Sequence, residues 1–546
     1  MRNIVPSTFW KRIALGLIVI SIIFRFSSLN TKLYWYDEAY TSLRLAGYTA
    51  TEMVADLNTK SLLTPQDFLK YQQLNSDRHL IDTIKGLAVE EAQLPPLYFS
   101  LVRLWAQLWG SSITAVRSLS ALLSLLSFPL IYWLMQELCF SLTIAEKNTA
   151  SWLGVAFLAT SPYQLIYAQE ARPYGLWVAT ILLATTCLMR AIRLGTINSW
   201  LLYSLGLTLG LYTQLLTFLV IIAHSVFVAI KTGLYWSKIG KSYLFAVGLS
   251  LIALIPWAIT IYFNLGSAAQ AIAWRKDDSP ALASKIIRFS SNLAGNITRQ
   301  FIDFNLGNTS PKLYLLFFTL VMLGIVSLVI YSLYLVGREL GDRGKLVLCL
   351  AFIPWLIIVL IDLGTGNNRA SVSRYLMPCW LSIQIAVAYL FAHKINSIHP
   401  GIKANSFKFT PTKFAWFWQG ILSLILCLGL LSYGTMNSTV VWWSHRLNYN
   451  NPQIAEIVNQ SDRPLILSKI DMNIVTLSHR LADKVRIKPV ETSFPTIESE
   501  FTDIFLYIPE ESISGFQTNP NYQIQPFPNM RIVEPYSPSF WKVSRK

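Results

Sequence analysis

Charge is what this chain has least of. Only 14% of its residues are Asp, Glu, Lys or Arg, against 53% hydrophobic, whereas a soluble chain carries about a quarter charged residues. Apolar runs of about 17 to 25 residues recur along the sequence, so the composition excludes a soluble domain and predicts a polytopic membrane protein. Cysteine is also scarce. Cys139, Cys187, Cys349, Cys379 and Cys427 lie in or beside apolar segments, without the spacing of a zinc site or a disulfide framework, and read as small buried apolar residues. There is no dinucleotide fingerprint, no Walker loop, no zinc spacing among the six histidines and no nucleophile elbow. The apolar segments carry almost no ionisable residue near their midpoints, where a transporter or proton pump normally places them. No short-period repeat or low-complexity tract is present.

What charge there is has one dominant sign: 45 basic residues against 29 acidic, a net charge of +16. No basic-aromatic module of the kind that reads bases accompanies it, which excludes nucleic acid as a partner. The excess instead marks loops facing anionic headgroups. Spans are expected at 13–29, 115–136, 149–168, 175–193, 199–213, 215–231, 243–264, 313–336, 345–363, 375–393 and 415–436. The first, preceded by Lys11 and Arg12 and lacking a small-residue cleavage site, reads as a retained anchor. The segment 94–110 is apolar but short, with Arg103 in its middle. If it lies on the outer surface, Lys147, Arg190, Arg193, Lys231, Lys241, Arg338, Arg343, Lys345 and Lys394 all fall in cytoplasmic segments; if it spans, that excess faces outward. The positive-inside rule selects the surface helix, with about eleven spans, the N-terminus inside and the C-terminus outside.

The expected architecture is therefore an all-α polytopic bundle, 1–436, followed by a small α/β extracytoplasmic domain, 437–546. Within the first part, 30–114 forms an outer loop with surface helices. Asp37 caps a short helix ending at Gly47, Thr64-Pro65 starts another, and Leu80, Ile81, Ile84, Leu87 and Ala88 make an apolar stripe. A second outer loop, 266–312, contains Arg275-Lys276-Asp277-Asp278 and is polar enough for a lid. In the tail, Leu465-Ile466-Leu467 and 504–508 read as strands, with helical patterns at 452–460 and 471–481.

This topology brings three distant polar turns to one face: Asp37-Glu38, Gln169 to Tyr174, and Gly364 to Arg374. The acidic pair can be no more than a helix start, yet an ionised carboxylate near an alcohol can also accept its proton as the alcohol attacks. Arg172 and Arg374 sit at outer ends of spans. Each can snorkel to headgroups or offer a planar fork of donors to a phosphate. Glu170 can orient Arg172 or act on substrate. Tyr98, Tyr174 and Tyr375 belong to an aromatic set that suits either an interfacial belt or a sugar-stacking surface.

With these residues in order, the chain resembles the C-type superfamily of integral-membrane glycosyltransferases, and most of all the protein O-mannosyltransferase and lipid A aminoarabinose-transferase branch. The marks are Tyr36-Asp37-Glu38-Ala39 after the first span, Pro95-Pro96-Leu97-Tyr98 opening a surface helix, Tyr167-Ala168-Gln169-Glu170-Ala171-Arg172-Pro173-Tyr174, and Ser373-Arg374-Tyr375-Leu376-Met377-Pro378 before a late span. The resemblance implies a polyprenyl-phosphate-linked sugar donor, transfer on the non-cytoplasmic face of what is expected to be a bacterial inner membrane, and an essential acid at Asp37. It implies basic residues holding the donor phosphate. Several relatives carry an acid near the position of Arg172, which leaves the roles of Glu170 and Arg172 open. Some members need a divalent metal and others do not, so a metal site stays unassigned. The expected mechanism is inverting displacement, with catalytic Asp37 and Glu38, donor phosphate on Arg172 and Arg374, and an acceptor that is glycan, lipid or protein. The alternative is a flippase that moves the lipid-linked sugar without chemistry.

Overall fold

The computed structural model describes residues 7–233, 237–266, 282–306, 311–396, 413–491, 493–509, 512–517, 519–527, 530 and 538–546. The charged run Arg275 to Asp278 lies outside the described residues. Helix α1 (Ser7–Phe26) leads into a loop carrying α2 (Tyr36–Ala46), α3 (Ala50–Leu57), α4 (Pro65–Leu69), α5 (Leu80–Glu90) and α6 (Leu97–Trp109). The bundle continues with α7 (Ile113–Ser124), α8 (Ser127–Leu138), α9 (Ile144–Thr160), α10 (Pro162–Gln169), α11 (Tyr174–Leu194), α12 (Ile197–Thr213), α13 (Thr217–Thr232) and α14 (Lys238–Phe263). Then come α15 (Leu282–Thr298), α16 (Lys312–Glu339), α17 (Asp342–Thr365), α18 (Met377–Asn396) and α19 (Lys413–Ser438).

Every apolar segment expected to span falls on helix. Among the described residues, seven helical stretches are both long and apolar enough to cross a membrane, against the eleven spans expected; 113–138, 174–194 and 373–396 are among them. The pair α12 and α13 meets at Gln214, whose N–H bonds the Gly210 carbonyl at 2.8 Å. The span 149–168 is interrupted at Ser161, because Pro162 has no N–H to continue the ladder and instead starts α10. Helix α18 packs against α9, α16, α17 and α19 and is buried along almost its whole length. Four cysteines are buried; Cys427 is exposed, contrary to expectation, because it lies on the outward side of α19.

The segment 94–110 forms α6, 13 residues long. Arg103 is buried and its Nη1 donates to the Leu45 carbonyl at 2.5 Å, with Nη2 on the Arg78 carbonyl. Its charge is thus satisfied by backbone of the loop, while Leu104, Leu108 and Trp109 point outward. The helix lies against α2, α5 and α7 as a juxtamembrane element.

Two local expectations need correction. Asp37 does not cap α2. The N-cap is Trp35, whose N–H is accepted by the Glu38 carboxylate at 3.4 Å, and Asp37 sits inside the first turn. On α5 the expected stripe packs through Ile84, Leu87 and Ala88, joined by Thr83 and Gly86, while Ile81 is exposed. Thr64 and Pro65 start α4 as expected, with Asp67 accepting from the Thr64 N–H at 2.8 Å.

The polar tail contains α20 (Asn451–Gln460), β1 (Pro464–Ser468), α21 (Met472–Ser478), β2 (Arg486–Pro489), β3 (Asp503–Pro509), β4 (Tyr522–Pro526) and β5 (Pro538–Arg545). The sheet order is β2-β1-β3-β5-β4. Strand β1 runs parallel to both β2 and β3, and β5 antiparallel to β3 and β4. An antiparallel bridge joins Leu63 of the first loop to Ile487, with both N–H···O bonds made at 2.8 and 2.9 Å. The loop therefore extends the sheet beyond β2.

Candidate active site

The three turns converge. Helix α2 turns the Asp37 side chain toward Arg374, with Oδ2 3.2 Å from Nη2. Arg172 Nη1 donates to the Asp37 carbonyl at 3.0 Å and to Thr41 Oγ1 at 3.3 Å. Both guanidinium groups retain a buried Nε without a partner, so each has hydrogen-bonding capacity beyond these contacts. The Arg374 guanidinium also lies 5.4 Å from the centre of the Trp35 ring, 5.9 Å from Tyr174 and 6.0 Å from Tyr375. Asp37, Arg172, Arg374, Tyr174 and Tyr375 all line one cavity of about 1010 Å³.

Glu38 does something different. It lies fully buried behind the cavity wall, in a bidentate pair with Arg117: Nε to Oε1 at 2.8 Å and Nη2 to Oε2 at 2.6 Å. Its Oε1 also accepts the Ala171 N–H at 2.7 Å. Arg117 reaches the carbonyls of Leu29 and Leu33 at 2.6 and 2.8 Å. This pair of charges ties the end of α1, the start of α2 and the 169–173 turn to α7. Glu38 thus does not share the cavity face with Asp37; residues on a helix turn about 100° from one to the next, and the step from Asp37 to Glu38 carries the side chain inward to Arg117. Tyr98 is likewise buried away from the cavity. Its hydroxyl pairs with Ser120 Oγ at 2.5 Å, beneath the Arg172 turn.

Glu170 is buried beside the site. Oε1 accepts from Ser444 Oγ at 3.1 Å and lies 3.6 Å from His445 Nε2, while Oε2 has no partner. Burial pushes its carboxyl up to about 7, against the opposing pull of the Arg374 charge. Burial also brings the neighbouring Lys32 ammonium down to about 7; its Nζ bonds Gln169 Oε1.

Sequence reasoning missed the rest of the wall. Asn292, Asn296 and Arg299 come from the described part of the expected lid. Arg299 stacks over the Trp443 ring at 4.3 Å, and Asp303 accepts both the Trp442 and Trp443 indole N–H groups at 3.1 and 2.6 Å. Glu90 and Glu91 line the cavity paired with Arg44 at 2.7 and 3.0 Å. Arg117 carried a detectable signal: a guanidinium at the start of an otherwise apolar segment requires a buried acid. Among the described residues no group of three His, Cys, Asp or Glu side chains is arranged to hold a metal ion; the positive charge nearest Asp37 is that of guanidinium groups.

Residues 93–260 match the family model described as dolichyl-phosphate-mannose-protein mannosyltransferase. The whole chain superposes on the crystal structure of ArnT from Cupriavidus metallidurans bound to undecaprenyl phosphate, at 11% identity and a TM-score of 0.51, covering 97% of this chain and 97% of that one. At that identity the likeness is one of fold. The apo form of the same ArnT aligns at 10% identity and a TM-score of 0.52, over 98% of both chains. An oligosaccharyltransferase from Archaeoglobus fulgidus aligns at 12% identity and a TM-score of 0.44, over 86% of this chain and 63% of that one. Comparison with curated proteins finds no match. The family match takes in the Glu170–Arg172 turn and Arg117, while Asp37 and Arg374 fall on either side of it and reach the site through folding alone.

Proposed function

We propose that the protein transfers a sugar from a polyprenyl-phosphate-linked donor to an acceptor at the extracytoplasmic surface of a bacterial inner membrane, with inversion at the anomeric carbon. The observation that carries this reading is the contact of the Asp37 carboxylate with Arg374, with Arg172 on the Asp37 carbonyl, inside one cavity. A guanidinium pair beside a carboxylate supplies both halves of the reaction: a clamp for a departing phosphate and a base for an incoming hydroxyl. The undecaprenyl phosphate bound in ArnT supports the lipid class, and the positive-inside count supports the face.

In this reading the acceptor oxygen attacks the anomeric carbon as the bond from that carbon to the phosphate oxygen breaks. The electron pair leaves on the phosphate, which Arg172 and Arg374 stabilise, and the acceptor proton moves to Asp37. Arg374 has a double role. Before the donor binds, it holds the Asp37 carboxylate; a donor phosphate competes for the same fork and releases Asp37 to act as base. Glu38 and Arg117 position α2. Tyr174 and Tyr375 flank the phosphate site, and Tyr98 supports the Arg172 turn. The segment 437–546 acts as a small soluble extracytoplasmic domain over the bundle, 1–436.

The test is transfer by purified protein with a polyprenyl-phosphate mannose donor. Wild type should release free polyprenyl phosphate, and Asp37→Asn should not. Movement of intact lipid-linked sugar across vesicles without such release would establish the flippase alternative instead.

A further inference from the structure

The C-terminal sheet meets the cavity in a telling way. From β1 the chain crosses through α21 to β2 on one side, while β3 pairs with the other side of β1. The strand order therefore reverses between β1 and β3. In open α/β sheets the loops at the carboxyl ends of two such strands diverge and leave a crevice that binds ligands. Asp471 and Asn473 follow the carboxyl end of β1 and Pro509 ends β3, and all three line the cavity that holds Asp37.

The crevice has a defined chemistry. Asp471 Oδ1 accepts the N–H groups of Asn473 and Ile474 at 2.8 and 3.2 Å, which fixes the carboxylate at the start of α21. Asn473 Oδ1 accepts from Asn448 Nδ2 at 3.2 Å, and Asn448 Oδ1 accepts the Tyr36 N–H at 2.9 Å. A chain of amides thus links the crevice to the residue before Asp37. Beside it, the rings of Tyr36 and Tyr40 pack edge to face at 5.3 Å and both line the cavity. Carboxylate and amide groups bond adjacent hydroxyls, and aromatic faces pack on the C–H face of a pyranose. Arg44, also in the cavity lining, is paired with Glu90 and Glu91, whereas Arg172 and Arg374 each keep an unpartnered Nε, so a phosphate is better served by Arg172 and Arg374.

We propose that this crevice is the acceptor site, that the acceptor is a carbohydrate presenting a hydroxyl to Asp37, and that Asp471 and Asn473 determine which carbohydrate is accepted. The proposal rests on the glycosyl-transfer reading above. It gives the C-terminal unit a direct part in substrate choice, and it assigns donor and acceptor recognition to different residues lining one cavity.

The experiment uses the full-length protein in detergent, with mannotetraose, cellotetraose and a Ser/Thr-rich peptide as acceptor probes in saturation-transfer NMR, and undecaprenyl phosphate as the donor-side probe. Asp471→Asn retains a capping side chain, since Asn caps helices as well as Asp. Wild type should bind at least one tetrasaccharide. The substitution should weaken that binding about ten-fold, the value of one hydrogen bond to a charged group, and leave undecaprenyl phosphate affinity within about two-fold, well under a tenfold step. Equal saccharide binding by the variant, or binding of the peptide but of neither saccharide, overturns the proposal. Failure of wild type to bind undecaprenyl phosphate counts against the donor reading alone, because the saccharide arm is read independently of it.

Discussion

At the scale of single residues, the site separates groups that face the cavity from groups that hold them there, and the two classes predict different phenotypes. Asp37→Asn should lower kcat by about 10²- to 10⁴-fold, the usual contribution of a positioned base, with donor KM nearly unchanged; steady-state kinetics on the purified protein separate the two. Arg374→Ala should raise donor KM, and Arg374→Lys should recover only part of the loss because an ammonium lacks the planar fork. Glu38→Ala belongs to the other class. It strands Arg117 in a buried site, a change that costs about 3–5 kcal/mol, so the melting temperature should drop together with activity. Adding Arg117→Met should restore melting but not turnover. Glu170 carries a pH signature. With its carboxyl raised by burial from 4.5 to about 7, the folded chain holds a proton that the unfolded chain releases between those values, and stability falls as pH rises through that window. Comparing wild type with Glu170→Gln across the same range should show a difference on the order of 3 kcal/mol at its upper end; parallel stability curves would refute the assignment.

At the scale of elements, α2 is the part whose placement matters most, and its two ends are secured differently. Its start is held by Glu38 bonding back to Trp35 and across to Arg117 and Ala171. Its end is Gly47, with φ of 87°, a left-handed conformation that other residues adopt only with strain. A Cβ there would stand 2.9 Å from Arg78 Cβ, displacing the backbone that Arg103 and Arg78 also use. Gly47→Ala should therefore destabilise by about 1–2 kcal/mol from conformation alone, and the added clash should loosen α6 as well, visible as faster amide exchange over 97–109. The break between α9 and α10 has a comparable purpose. Pro162 ends the first helix early, and the short α10 then delivers Gln169 to the carbonyls of Phe24 and Ser27 at 2.6 and 3.0 Å.

At the scale of the whole molecule, the bundle and the C-terminal sheet share one cavity, and the first loop joins them. The Leu63–Ile487 bridge, the Arg480 bond to the Thr31 carbonyl at 2.9 Å and the Tyr36 N–H bond to Asn448 are among the fastenings. Leu63→Pro deletes the N–H of that bridge without touching the cavity. It should raise amide exchange over β2 and reduce acceptor-dependent turnover, while hydrolysis of the donor by water continues; unchanged transfer would show that the sheet need not be held against the loop.

Much of this was determined by the sequence itself. Length and polarity of the apolar runs dictate helices wherever backbone groups must be satisfied without water, and the sign bias of the loops assembles Asp37, Arg172 and Arg374 on one side. Thr64-Pro65, the strands at 465–467 and 504–508, and the two-helix reading around Gln214 are all local patterns, and local patterns survive folding. The tertiary structure alone decided which way each side chain turns. Asp37 and Glu38 are neighbours of nearly identical chemistry, and only the position of Arg117, 79 residues away along the chain, draws one inward as a strut and leaves the other to face Arg374. The same holds for Asp471 and Arg299, which join the cavity from segments distant in sequence. Periodicity reports which face of an element is buried, but not what it is buried against.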